Sequence, residues 1–299
     1  MIQNLKNSIL ITMYKIGLND KRNPQVVSIE STLQEIMQNK YSVVRFGDGE
    51  LRWMYGFKQN SFQKNNKLMS KKLKKILRSD EDNVIVCIPE AFGKMEHFEE
   101  QDAWFWKKHM GKFRWLWCMN FIKGKKYYNA NITRPYMEYR EKENCKKIFG
   151  LWKKIFEKRN ILIVEGMWTR LGVNNDLFSN AAGIKRIECP QENAFEKYDE
   201  IKTAVLKHLE NAGEKENTLV LIALGPTATI LAYEIALYGY QAIDIGHIDI
   251  EYEWYLSGAK SKQKVEGKYV HEAGGITQLE VGKIESLYRE QIVEQIRDC

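Results

Sequence analysis

Apolar positions recur with two distinct periods along the chain. Ile2, Leu5, Ile9, Met13 and Ile16 follow a helical stripe that Asn19 to Pro24 interrupts. Ser28 or Ser31 then suits the cap of a helix reaching Asn39. Tyr41 to Phe46 reads as a buried strand stopped by Gly47-Asp48-Gly49-Glu50, and a basic helix over 64–78 follows. Asn83 to Ile88 is a second strand, ended by Pro89. Trp104 to Trp117 reads as helix passing into strand, and Glu143 to Lys158 as an amphipathic helix. Strands are expected at Ile161 to Val164 and Ile184 to Ile187, with a helix over Asn193 to Leu209. The clearest unit comes last: the apolar run Thr218 to Leu224, the turn Gly225-Pro226-Thr227, a helix to Leu237 stopped by Gly239, and a strand from Gln241 to Ile245. Strand, glycine turn, helix, strand is a βαβ unit, whose crossover imposes parallel pairing. The expected fold is α/β and Rossmann-like, a mostly parallel sheet flanked by helices. No GxGxxG follows a strand, so a dinucleotide site is not indicated.

Composition narrows the class. At 299 residues, 44% hydrophobic and 28% charged, the chain is an ordinary globular protein, and five prolines without a low-complexity tract argue against a long linker. The net charge of +7 favours anionic partners such as phosphates, a membrane surface or nucleic acid. Five scattered cysteines, Cys87, Cys118, Cys145, Cys189 and Cys299, form no CxxC pair, which argues against a disulfide framework or structural zinc. Cys299 is not in a prenylation context. No apolar run approaches a signal-peptide core or a membrane span, so a cytoplasmic protein is expected.

Four groups of residues carry candidate chemistry. Asp48 and Glu50 follow a strand end, where open α/β sheets place ligands. In extended backbone their carboxylates share a face, which suits Mg²⁺ or Mn²⁺, while Gly47 and Gly49 let a ligand approach; a solvated acidic turn is the plain alternative. Arg45, inside an apolar strand, must pair with a carboxylate or face a phosphate. Gly225, Pro226 and Thr227 open a helix whose free N–H groups and dipole suit an anion, or form an ordinary βα turn. Glu165, Arg170, Asn175 and Asp176 lie in a polar stretch after another strand, fitted to a base, ribose or sugar, or to a loop held by Asx turns. In the segment His247 to Trp254, strand-like alternation would set His247, Asp249, Glu251 and Glu253 on one side as a general base or further metal ligands; the commoner role of such a histidine is structural. The tryptophan cluster is expected in the core, and the basic helix is a solvated face or a dock for an anionic membrane surface.

In combination the motifs are more specific than any one alone. Val44 to Glu50 resembles the RFGDGE signature of the bacterial GT-D-type glycosyltransferases, a family first described as a domain of unknown function. Thr133-Arg134-Pro135-Tyr136, the stretch Glu165 to Phe178, Glu188-Cys189-Pro190 with Asn193-Ala194-Phe195, and residues 223–255 resemble its later blocks in order. Threonine stands at 133 and 169 where serine is expected, and Asn174 where glycine is expected. The resemblance implies a metal-dependent transferase that moves a sugar, typically glucose, from a UDP-sugar to a growing glycan, with Asp48 and Glu50 at the metal–diphosphate site. Arg45, Gly47, Glu165, Arg170, Asn175, Asp176 and Gly225 to Thr227 are then expected around the nucleotide sugar, and His247, Asp249 and Glu251 as catalytic groups. The acceptor would be a glycan, glycopeptide or lipid-linked saccharide, with peripheral contact to an anionic membrane surface and no nucleic acid partner. The corresponding organisation is a helical segment over 1–40, a transferase domain over 41–280 and a C-terminal helix over 281–299. Two rival functions fit the same residues: a nucleotide-diphosphate-sugar hydrolase, and a non-enzymatic binder of anionic polymer.

Overall fold

The computed structural model describes residues 2–58, 62–211, 214–274 and 283–297. Two helices, α1 (Ile2–Gly17) and α2 (Ile29–Asn39), precede the first strand, β1 (Ser42–Arg45). Ser28 caps α2, its hydroxyl accepting the Ser31 N–H. After β1 come α3 (Asp48–Tyr55), α4 (Lys67–Leu77), β2 (Val84–Ile88), α5 (Glu100–Asn120) and β3 (Tyr128–Asn129). The chain continues through a 3₁₀ turn (Ala130–Thr133), α6 (Cys145–Phe156), β4 (Asn160–Gly166), β5 (Gly183–Cys189) and α7 (Tyr198–Glu210). The expected βαβ unit is β6 (Thr218–Ala223), α8 (Pro226–Leu237) and β7 (Gln241–Asp244). Last come α9 (Ile248–Leu256), α10 (Lys283–Gln291) and β8 (Ile292–Gln295).

The strands form one sheet in the order β3-β2-β1-β7-β6-β4-β5-β8. Every strand pairing is parallel. Both faces are covered, so successive residues feed different cores: Val44 packs with α3, α4, α5 and α8, and Val43 with α2, α6 and α9. The chain leaves β1 towards the first face, through Leu51 of α3, and leaves β7 towards the other, through Ile248 and Ile250 of α9. Neighbouring strands whose connections diverge open a crevice at their carboxyl ends, and β1 and β7 are such a pair.

Two expectations about the elements change. Residues 100–120 form a single helix rather than helix then strand; Gly111 lets α1 lie against it, since a Cβ there would stand 2.0 Å from the Leu10 carbonyl oxygen. The C-terminal helix ends at Gln291, because the β-branched pair Ile292-Val293 adds a parallel strand to the open edge of β5 and buries Ile296. The expected boundary at residue 280/281, and Cys299, lie outside the described residues. The N-terminal helices pack on the body of the fold, α1 on α5 and α2 on α6. The tryptophans divide: Trp106 and Trp117 are buried, Trp104 and Trp115 exposed. The other four cysteines are buried free thiols. Among the described residues no helix is long and apolar enough to cross a membrane.

Candidate active site

A cavity of about 590 Å³ opens at the carboxyl edge of the sheet, within the usual size of a small-ligand site. Three helix N-termini meet its wall: α3 after β1, α8 after β6 and α9 after β7. Each turns the positive end of its helix dipole towards the wall, so the cavity favours anions before any side chain is counted.

Asp48 and Glu50 both line this cavity, in the first turn of α3 rather than in extended backbone. Helical geometry sets them roughly 200° apart around the axis, so they do not share a face as alternation predicts. Glu50 reaches back to accept the Gly47 N–H at 2.7 Å, one half of a capping box that a glycine N-cap cannot complete. Asp48 lies 3.7 Å from Arg52, one turn on. Burial raises the pKa of both acids; Glu50 is pushed up to about 7, with the Asp244 carboxylate adding to the effect. Crowded acids that resist ionisation are stabilised by a cation. Among the described residues, however, no three His, Cys, Asp or Glu side chains are grouped to hold a metal. The donors therefore fit a hard cation only when phosphate oxygens complete its shell, as is usual for Mg²⁺ sites with one or two carboxylates.

Arg45 resolves the choice between carboxylate and phosphate. Its Nε donates to the Asp244 carbonyl and its Nη2 to Asp244 Oδ1, both at 2.9 Å. The guanidinium crosses the backbone at Gly246 (φ +49°), where a Cβ would stand 1.9 Å from Nη2. Arg45 thus ties β1 to β7 at the cavity wall, and Thr229 of α8 bonds the same two strands through the Arg45 carbonyl and Asp244 Oδ2. Gly225 lines the cavity at φ +54°, with Phe62 2.4 Å from where its Cβ would be. Pro226 is the first residue of α8 and Thr227 the second; both are buried behind the wall. Gly225 is the N-cap.

The acidic segment after β7 is corrected most. Residues 248–256 form α9, so His247, Asp249, Glu251 and Glu253 do not line up on one side. His247 faces the cavity, and burial together with Arg134 holds its pKa down at about 4, leaving a neutral imidazole. Asp249 reaches the wall but is held by Lys268 Nζ at 2.7 Å, and by the Gly172 N–H and Asn175 Nδ2 at 2.8 Å each. Glu251 points away from the cavity and accepts the N–H groups of Tyr136 and Met137, both at 2.9 Å. These bonds tie down Asp249 at the wall and Glu251 Oε2, while Glu251 Oε1 is buried without a hydrogen-bond partner.

The polar stretch after β4 also serves the fold. Glu165 is wholly buried against Arg186 at 2.6 Å and accepts the Leu171 N–H at 2.7 Å, so it does not reach the cavity. Arg170 is buried over the rings of Trp168 and Tyr288. Asn175 bridges Asp249 and Glu253, and Asp176 pairs with Lys153 at 2.7 Å on the exterior. None of Arg170, Asn175 and Asp176 lines the cavity. Asn174 adopts φ +68°, a left-handed position that asparagine tolerates in place of glycine.

Other side chains of the wall carried little signal. Arg134, from the Thr133–Tyr136 block, pairs with Glu272 at 2.7 Å and Glu138 at 3.5 Å. Those carboxylates hold its pKa above the usual range, and Arg134 in turn holds Glu272 far below it against the cost of burial. Asp102 of α5 pairs with Lys262 at 3.5 Å across the mouth, beside Phe105 and Trp106. No local pattern marks Asp102, Lys262 or Glu272, because they come from distant segments.

Residues 43–273 match the family model described as the glycosyltransferase GT-D fold. The chain belongs to this GT-D glycosyltransferase family. It is 37% identical over 276 residues to glycosyltransferase GlyD of Streptococcus pneumoniae serotype 4 (strain ATCC BAA-334 / TIGR4), covering 91% of this chain and 32% of that protein. It is 35% identical over 261 residues to a probable glycosyl transferase, Gly, of Streptococcus gordonii, covering 86% of this chain and 37% of the relative. The GT-D chain thus spans about a third of the length of these curated relatives. A solved domain of unknown function 1792, described as having a distinct glycosyltransferase fold, superposes with a TM-score of 0.86 at 37% identity, over 95% of this chain and all of that one. A glycosyltransferase of the same domain type from Streptococcus sanguinis gives 0.84 at 35%, over 92% of this chain and all of that one.

Proposed function

We propose that this GT-D chain transfers a sugar from a UDP-sugar to a glycan acceptor, glucose being the first donor sugar to test, with Asp48 and Glu50 holding Mn²⁺ or Mg²⁺ against the donor diphosphate. The observation that carries the reading is the convergence of three helix N-termini on one cavity whose wall includes both acids. A divalent cation bound there would neutralise charge developing on the departing diphosphate. Gly225 adds no side chain of its own between the positive dipole end of α8 and a phosphate oxygen. Arg45 keeps Asp244 paired and the β1–β7 crevice in register, a positioning role. Trp106 and Phe105 offer ring surface to a sugar. His247 presents a neutral imidazole placed to hydrogen-bond an acceptor hydroxyl, while its low pKa makes it a weak base for the hydroxyl proton.

Calorimetric titration of UDP with Mn²⁺ or with EDTA, on the native chain and Asp48→Ala, tests the reading. Micromolar binding that requires both the metal and Asp48 is expected, with UDP-sugar turnover lost in the variant and its thermal melt unchanged. Equal binding in EDTA, or turnover by Asp48→Ala near the native rate, overturns the metal site.

A further inference from the structure

Helix α1 shows solvent an apolar stripe on the side turned from α5. Leu5, Ile9, Met13 and Ile16 are 64, 52, 50 and 72% exposed, whereas Tyr14 on the packed side is buried. The outer side of α5 continues this surface with Trp104, Lys108, Lys112, Trp115 and Met119. Beside it runs a shallow groove formed by the end of α3 and by α5. Phe57, Phe113, Trp115 and Leu116 supply its apolar lining, and its charged groups, Arg52, Lys58 and Lys112, are all cations. The groove joins the basic helix α4: Lys74 lies over the Tyr55 ring, Tyr55 stacks on Phe57, and Arg78 bonds the Met119 carbonyl.

Long stretches of the segments that build this face carry no acids. No Asp or Glu occurs in α1, from residue 51 to 79, or from 103 to 126, stretches that contain many lysines. Exposed aliphatic and tryptophan side chains beside lysines such as Lys108 and Lys112 make an interfacial surface: the apolar groups enter the headgroup boundary while lysine stems extend to phosphates. A nucleic acid would leave Leu5, Ile9, Met13 and Ile16 without a role. A two-fold contact with a second copy would set the same cations against one another.

We infer that the α1–α5 face docks on an anionic phospholipid bilayer. Helix α5 connects this face to the cavity: Asp102, Phe105 and Trp106 line the cavity, and Lys108 stands one turn beyond. A bilayer at Lys108 and Lys112 therefore lies close to the cavity. The docking does not rest on the transferase reading proposed above.

Co-sedimentation with phosphatidylglycerol–phosphatidylcholine vesicles, and with phosphatidylcholine alone, tests the docking. The native chain is expected to sediment with the anionic vesicles only, and to be released by high salt. Lys108→Gln/Lys112→Gln should weaken binding about fivefold per lysine, about 25-fold for the pair. Trp115→Ser should weaken it at low salt as well, and both variants should keep native calorimetric binding of UDP with Mn²⁺. Equal binding to neutral vesicles, native binding that ignores salt, or native-strength binding by the lysine variant overturns the proposal. So does self-association of the native chain in sedimentation velocity, abolished by Trp115→Ser, without vesicle binding. Vesicle binding without UDP binding would retain the docking and refute the donor site.

Discussion

Removing Arg186 should cost far more stability than a surface charge, and the loss should depend on pH. Arg186 and Glu165 are 2% and 0% exposed at 2.6 Å. Arg186 also donates to the Leu171 carbonyl at 2.8 Å and Gln291 Oε1 at 2.7 Å. Arg186→Met would leave the Glu165 carboxylate uncompensated in a dry interior, which costs about 3–5 kcal/mol. For a chain of this size that is a fall of roughly 5–8 °C in melting temperature. Burial already raises the Glu165 pKa, and Arg186 is the main influence pulling it back down. Without Arg186 the folded pKa rises further above the unfolded value of about 4.3, so the folded state binds the extra proton. Stability therefore falls as pH rises through that interval, and the deficit should widen from pH 5 to pH 8. Urea denaturation of the native chain, Arg186→Met, Glu165→Gln and the double variant measures the coupling. Glu165→Gln keeps an acceptor for the Leu171 N–H, so the double variant should recover at least about 2 kcal/mol relative to additivity. A native midpoint in Arg186→Met, or a Glu165→Gln chain that folds normally but no longer binds UDP, would refute the structural role given to this pair.

Other outcomes follow from the same geometry. Gly246→Ala forces a Cβ into the Arg45 guanidinium at a left-handed backbone position, and should lower stability by about 2 kcal/mol or more and weaken UDP binding; native behaviour would show that the Arg45–Asp244 bridge is dispensable. Gly111→Leu should lift α1 from α5 and lower the melt by several degrees, with exposed α1 amides detected by hydrogen exchange. His109 is buried with its pKa held down at about 3, chiefly by burial, while accepting the Trp117 indole N–H. The unfolded chain binds this proton below about 6.5, so His109 alone should remove about 2 kcal/mol between pH 7 and pH 5. His109→Gln should flatten that part of the denaturation profile.

Sequence patterning alone determined the layered α/β fold and the ligand edge. Runs such as Leu219 to Leu224 are apolar at every position, and only strands covered on both faces bury such runs. The turn after β6 and the Gly47–Glu50 motif fell at strand ends for the same local reason, and Asp48, Glu50, Gly225 and His247 do share one cavity. Tertiary structure decided which polar groups are free to act there. Glu165, Asp249 and Glu251 looked as available as Asp48, but their carboxylates are taken by Arg186, Lys268 and the amides of Tyr136 and Met137. Those partners stand 21, 19 and 115 or 114 residues away, and no periodicity encodes such distances. The helical state of His247 to Leu256 was hidden too, because its alternating acids imitate a strand while the packing of Ile248, Tyr252 and Trp254 requires a helix. Local sequence sets backbone preference and the edge where ligands collect; a side chain's freedom depends on what the remote chain brings against it.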